Sequence, residues 1–151
     1  MKIIQDSREK IPLDFSMWDV ETSIAALKAG DYTIVGHEDR VFIERKKTTG
    51  ELANNLCKDY NRFKRELDKI IHFKYKFVIC EFSIKNLMEF PKNSGIPLFL
   101  QKGLRISGGF LRKRISEVEN DYNVVFVYCG SPEKAADKIM EIFTGAENEK
   151  L

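Results

Sequence analysis

A chain of 151 residues is long enough to enclose one hydrophobic core and too short for two ordinary domains. With 43% apolar and 32% charged residues it reads as a globular protein, neither disordered nor fibrous, and no apolar run approaches the roughly 20 residues that span a bilayer. The net charge of +2 is too small to identify a polyanionic partner by itself, so where the charge lies matters more than its sum.

After Met1 the chain begins with Lys2 to Gln5, a short apolar run rather than a signal peptide, which gives an intracellular expectation. That run reads as a strand, broken by the polar stretch Asp6 to Lys10 and by Pro12. Residues 18–24 alternate, with Trp18, Val20, Thr22 and Ile24 on one side, and predict a second strand, with a helical turn over 25–29 as an addition. After Gly30, the β-branched run Tyr32 to Val35 and the run Val41 to Ile43 flank a polar turn and predict a hairpin. Period two then puts Phe42, Glu44 and Lys46 on one face, and Val41, Ile43 and Arg45 on the other.

Leu52, Leu56, Tyr60, Phe63, Leu67 and Ile70 recur every three or four residues and predict one long helix over about 50–73. Thr48 or Thr49 suits its cap and Glu51 its first turn. Residues 75–80 form a buried strand, expected to be parallel to a neighbour because a helix precedes it. Pro91, Asn93, Gly95 and Pro97 mark a loop within 83–101. Leu111, Ile115, Val118 and Tyr122 predict a helix over 110–122, followed by a strand over 124–128. Ser131 and Pro132 cap a last helix over 135–143, and the end from Gly145 is expected to fray. The predicted architecture is a mixed α/β sheet flanked by helices, in one domain over 1–144 with a flexible tail over 145–151.

Cys57, Cys80 and Cys129 are far apart and form no CxxC pair, so reduced core thiols are expected rather than a zinc site. The chemistry sits elsewhere. Asp31 begins one hairpin strand and Glu44 ends the other, so antiparallel pairing brings two hard oxygen donors to the same end of the sheet. The backbone carbonyl of Arg45 adds a third oxygen, and Lys46 is placed to orient a water or to stabilise a phosphate. Phosphodiester hydrolysis needs these elements: an activated water, charge stabilisation on the phosphoryl group and help for the leaving oxygen. The opposing interpretation is a turn aspartate followed by a solvated charge run from Glu44 to Lys47.

The segments Ile4-Gln5-Asp6-Ser7-Arg8-Glu9, Gly30-Asp31-Tyr32 and Ile43-Glu44-Arg45-Lys46 resemble the nuclease domains of the XPF family (ERCC4-type) of structure-specific endonucleases. The segments Arg62 to Leu67 and Gly130 to Ala136 resemble them as well. The resemblance implies a restriction-endonuclease-like, PD-(D/E)XK fold in its compact single-domain bacterial or phage form, in a cytoplasmic setting. It implies Mg2+ or Mn2+ on Asp31 and Glu44, Lys46 as the catalytic lysine, and Asp6 as a metal ligand or a support for one. Glu9 matches a further family acid, and Arg8 and Arg45 match positions used for phosphate contact or acid pairing. One departure stands out: the family aspartate expected after the lysine is Gly50 here, with Glu51 next.

DNA is the expected partner, with a homodimer or a recruiting protein as further expectations and no membrane. Arg8, Arg45, Lys47, Arg62, Arg65 and Arg112 are the candidate phosphate contacts, within a wider basic group that includes Lys64, Lys102, Arg105, Lys113 and Arg114. Each taken singly is also explained as an ordinary charged helix face paired with Glu66, Asp68, Glu117 or Glu119. The expected function is a metal-dependent DNA endonuclease acting on branched or single-strand-containing DNA. The alternative is a catalytically inactive DNA- or partner-binding module.

Overall fold

The computed structural model describes residues 1–149. Six strands, β1 (Lys2–Asp6), β2 (Glu21–Ala25), β3 (Tyr32–Ile34), β4 (Val41–Lys46), β5 (Tyr75–Cys80) and β6 (Val125–Tyr128), form one sheet in the order β2-β1-β3-β4-β5-β6. The pairings β1–β3 and β3–β4 are antiparallel, whereas β1–β2, β4–β5 and β5–β6 are parallel. The parallel pairs β4–β5 and β5–β6 follow from the helices that connect their strands, as expected from the order of elements, whereas β1 and β2 are joined by residues 7–20 without a helix. Among the described residues no helix is long and apolar enough to cross a membrane.

Alternation along β4 divides the core in two. Phe42 packs with Val78 and Cys80 under α1 (Thr49–Leu56), α2 (Tyr60–Asp68) and α5 (Gly108–Tyr122), against Leu52, Phe63, Leu67 and Leu111. Val41 and Ile43 point to the other face, where Ile139 and Phe143 of α6 (Pro132–Asn148) cover them. Glu44 and Lys46 therefore continue the face covered by α1 and α2, and Arg45 the face covered by α6.

The single helix expected over 50–73 is two helices, interrupted at Cys57, Lys58 and Asp59. Both halves pack on the same sheet face, so the apolar spacing survives the break; periodicity reports which side is buried, not whether the axis is continuous. The break is held by Asn54, whose side-chain amide donates to Asp59 at 2.8 Å and whose carbonyl accepts the Asp59 amide at 2.9 Å. Asparagine and aspartate compete with the helical backbone in this manner.

Four further expectations are corrected. β2 begins at Glu21 rather than at residue 18, because Trp18 and Val20 turn inward against the α6 side of the core, and residues 26–29 form no helix. The loop expected over 83–101 contains two short helices, α3 (Ile84–Met88), with a Ser83–Asn86 capping box, and α4 (Leu98–Gln101). Finally α6 runs to Asn148, so the tail expected from Gly145 is helical over its first four residues. Glu149 is then tied to Arg40 at 2.9 Å and to the Tyr75 hydroxyl, while residues 150–151 lie outside the described residues.

Candidate active site

The hairpin strands meet at a glycine that no other residue replaces easily. Gly30 has φ +77°, and a Cβ there would lie 2.9 Å from the Ile43 carbonyl oxygen. The turn lets Asp31 bridge three strands: its amide donates to the Ile43 carbonyl at 2.7 Å, and its carbonyl accepts the Asp6 amide at 2.8 Å. Its side chain then closes the hairpin end, with Oδ2 accepting the Arg45 amide at 2.7 Å. Because the Arg45 amide faces Asp31, the Arg45 carbonyl lies on that same side of β4.

Two carboxyls share this corner. Burial raises the Asp31 pKa first, and the adjacent Glu44 carboxylate adds to the shift; the Arg45 amide and Lys46 offset only part of it, leaving Asp31 at about 9. Lys46 Nζ lies 3.9 Å from Glu44 Oε1, with both side chains largely shielded from solvent. Such crowding beside Glu44 keeps the proton on Asp31 unless a cation sits with the pair. Hard oxygen donors of this kind, two carboxylates and a backbone carbonyl, suit a divalent ion that keeps water or phosphate at its other positions. Among the described residues no group of three or more histidines, cysteines or acids is arranged to hold a metal.

Asp6 does not join this pair as a free acid. Burial raises its pKa, but the Arg8 guanidinium and the amides of Leu27 and Arg8 outweigh that effect and hold the carboxyl below its ordinary range. Arg8 Nε donates at 2.8 Å and the Leu27 amide at 2.9 Å. Asp6 thus fixes Arg8, whose side chain is 73% exposed and lines the cleft.

Arg45 corrects the sequence expectation for a phosphate contact. Its guanidinium is only 4% exposed on the α6 face, bound to Glu81 and, at 2.9 Å, to Glu9. Glu9 also accepts the Tyr32 hydroxyl at 3.1 Å, and Tyr32 accepts the Leu13 amide at 2.9 Å. Of the two uses considered for Arg45, acid pairing is the one present, and it forms a polar support directly behind Asp31 and Glu44.

The corner opens into a cleft of about 390 Å3. Asp6, Asp31 and Glu44 lie along its sheet side, and Asn55, Asp59, Arg62 and Glu66 come from α1, α2 and the break between them. Arg8 and Arg62 therefore reach the cleft among the candidate phosphate contacts, whereas Lys47, Arg65 and Arg112 do not line it. Lys47 borders a separate hollow on the α6 side with Arg45 and Glu81. Arg112 lies beside Met88, at 3.8 Å from its sulfur. Asn55 was not an expected site residue, yet its Oδ1 is buried without a hydrogen-bond partner. Its signal was the Asn54-Asn55 pair inside an apolar helical stripe, where asparagine is a poor choice for helix stability.

At Gly50, where the resemblance implied an aspartate, there is no room for a side chain. A Cβ at Gly50 would lie 2.5 Å from the Ser94 carbonyl oxygen, which accepts the Gly50 amide at 3.0 Å. Glu51 does not replace it at the cleft; its carboxylate accepts the Lys47 amide at 3.1 Å and borders the groove between α1 and residues 90–106.

The ERCC4 domain family model matches residues 5–142. Two solved structures are similar over 99% of this chain and 66% of their own length: XPF from Aeropyrum pernix, 18% identical with a TM-score of 0.71, and XPF from Aeropyrum pernix in complex with DNA, 19% identical with a TM-score of 0.70. This chain therefore spans about two thirds of those chains. The shared architecture is the restriction-endonuclease-like mixed sheet flanked by helices. No curated protein matches the chain.

Proposed function

Because this chain belongs to the ERCC4 domain family, we propose that it is a metal-dependent DNA endonuclease that hydrolyses phosphodiester bonds in branched or single-strand-containing DNA. The observation that carries this reading is the pairing of Asp31 with Glu44 at the mouth of a polar cleft, where burial and mutual repulsion call for a cation. The DNA bound to the Aeropyrum relative supports the class of substrate.

Asp31, Glu44 and the Arg45 carbonyl would hold Mg2+ or Mn2+. Bound there, the ion supplies a Lewis acid that makes a water nucleophilic near neutral pH and offsets charge on the phosphoryl oxygens. Lys46, beside Glu44, orients that water or meets the phosphate. Arg8 and Arg62 hold neighbouring phosphates across the cleft, Arg8 being aimed by Asp6. Arg45, clamped by Glu9 and Glu81, keeps β4 in register behind the acids.

Incubating the purified chain with end-labelled fork, flap, duplex and single-stranded DNA, with Mg2+, Mn2+ or EDTA, tests the reading. Cleavage confined to the metal-containing reactions and strongest on branched or single-stranded substrates is expected. Absence of cleavage on every substrate in both metals opposes it and favours the binding-module alternative.

A further inference from the structure

The helix α4 presents apolar surface that neither core uses. Leu98, Phe99 and Leu100 are 80%, 77% and 52% exposed on three consecutive positions. Isolated apolar residues are common on protein surfaces, but adjoining large ones mark a surface that something covers.

The surroundings identify the chemistry of the occupant. Residues 84–114 hold seven basic side chains and a single acid, Glu89, so this stretch carries +6 in a chain whose total is +2. All but Arg114 of those seven are exposed, and none of the seven is in an ion pair among the described residues. An apolar tip within a basic stretch of chain, with Lys102 and Arg105 exposed just beyond it, suits a polyanion that also offers flat apolar faces. A nucleic-acid strand with unpaired bases has both: phosphates for the cations and base faces for an aromatic ring.

The tip is also fixed relative to the cleft. The Gly50 amide donates to the Ser94 carbonyl, and the absence of a side chain at Gly50 lets the segment before α4 sit directly on the first turn of α1. The same helix carries Asn55 into the cleft and borders, with Phe90, Ile96, Leu104 and Ile106, the groove beneath this segment. Gly50 thus lets the basic, apolar segment dock against the helix that borders the cleft.

We propose that the α4 tip is a docking site for unpaired bases of a DNA strand, with Phe99 stacking on a base and Lys102 and Arg105 holding the flanking phosphates. This rests on the nuclease reading for the nature of the substrate and deepens it by assigning the single-stranded portion of that substrate to α4.

The test measures binding of the full chain in EDTA, by fluorescence anisotropy, to labelled oligothymidylate and to a blunt duplex of the same length. Phe99→Ser is expected to weaken oligothymidylate binding about 5- to 20-fold while changing duplex binding less than about two-fold. Replacing both Lys102 and Arg105 with alanine is expected to weaken both and to lower the salt slope for the single strand by about one to two. Unchanged melting temperatures exclude misfolding as the cause. Wild-type affinity in Phe99→Ser, or an equal loss for both DNAs, overturns the proposal. So does a change of oligomeric state in Phe99→Ser with DNA binding intact, which makes a second copy the occupant, or vesicle binding that oligothymidylate does not compete. Metal-dependent cleavage with unaltered Phe99→Ser binding removes this site and leaves the active-site reading; selective loss of single-strand binding without any cleavage does the reverse.

Discussion

The carboxylate of Asp31 accepts the backbone amide of Arg45 at 2.7 Å, so the peptide unit between Glu44 and Arg45 is held by the acid that Glu44 crowds. Asp31 consequently has a structural task and a chemical one, and isosteric substitution separates them. Asp31→Asn keeps a side-chain oxygen for the Arg45 amide and removes the charge conflict. The metal-free variant is expected to be about 1 kcal/mol more stable than wild type, a rise of roughly 2–4 °C in melting temperature, while strand cleavage falls at least about 100-fold. Asp31→Ala, which leaves the amide unpaired, is expected to lose cleavage and gain no stability. Calorimetry and a cleavage assay on both variants distinguish the two tasks.

The same crowding makes metal-free stability depend on pH. The folded-state pKa of Asp31, about 9, lies above its ordinary value of 3.8, so the folded protein retains a proton that the unfolded chain gives up. The contribution of Asp31 is fully present below about 3.8 and is lost as pH rises toward 9. Urea unfolding in EDTA is expected to show lower stability at pH 8.5 than at pH 6, and millimolar Mn2+ to recover it. A flat or rising profile in EDTA contradicts this, and Asp31→Asn is expected to flatten the decline.

Arg45 is expected to behave as a structural residue. Arg45→Met leaves Glu9 and Glu81 buried without their partner and is predicted to cost about 3–5 kcal/mol in unfolding free energy. Where the variant still folds, the salt dependence of its DNA binding should match wild type, because the guanidinium faces away from the cleft. A reduced salt slope in folded Arg45→Met would return it to the phosphate contacts.

Restoring the family aspartate is predicted to do harm. Gly50→Asp places a Cβ into the Ser94 carbonyl and is expected to destabilise the chain by about 1–3 kcal/mol. Limited proteolysis should then cut more rapidly within residues 91–106, with no gain in cleavage rate. Glu51→Gln, which changes a group outside the cleft, is expected to retain cleavage within about two-fold.

Alternation and glycine placement made much of this legible in the sequence. The hairpin, the shared face of Phe42, Glu44 and Lys46, and the parallel pairing of β5 all follow from local patterning that tertiary packing reinforces. The break between α1 and α2 was hidden because one apolar stripe serves two helices, although Asn54, Asn55 and Asp59 carried its signal. What local patterning does not contain is pairing across distance. Glu81 is 36 positions from Arg45 and Ser94 is 44 from Gly50, so the buried Arg45 clamp and the reason for Gly50 became visible only once the chain was folded. The same holds for Asn55, which reaches the cleft through the angle between α1 and the sheet.

Whether Asp31 and Glu44 together hold the cation that cleavage requires is decided by titrating Mn2+ into wild type, Asp31→Asn and Glu44→Gln in an isothermal calorimeter. One saturable site is expected in wild type, weakened at least about tenfold by either substitution, with cleavage by wild type rising along the same Mn2+ curve. Equal Mn2+ affinity in all three proteins, or cleavage by wild type that persists in EDTA, would contradict it.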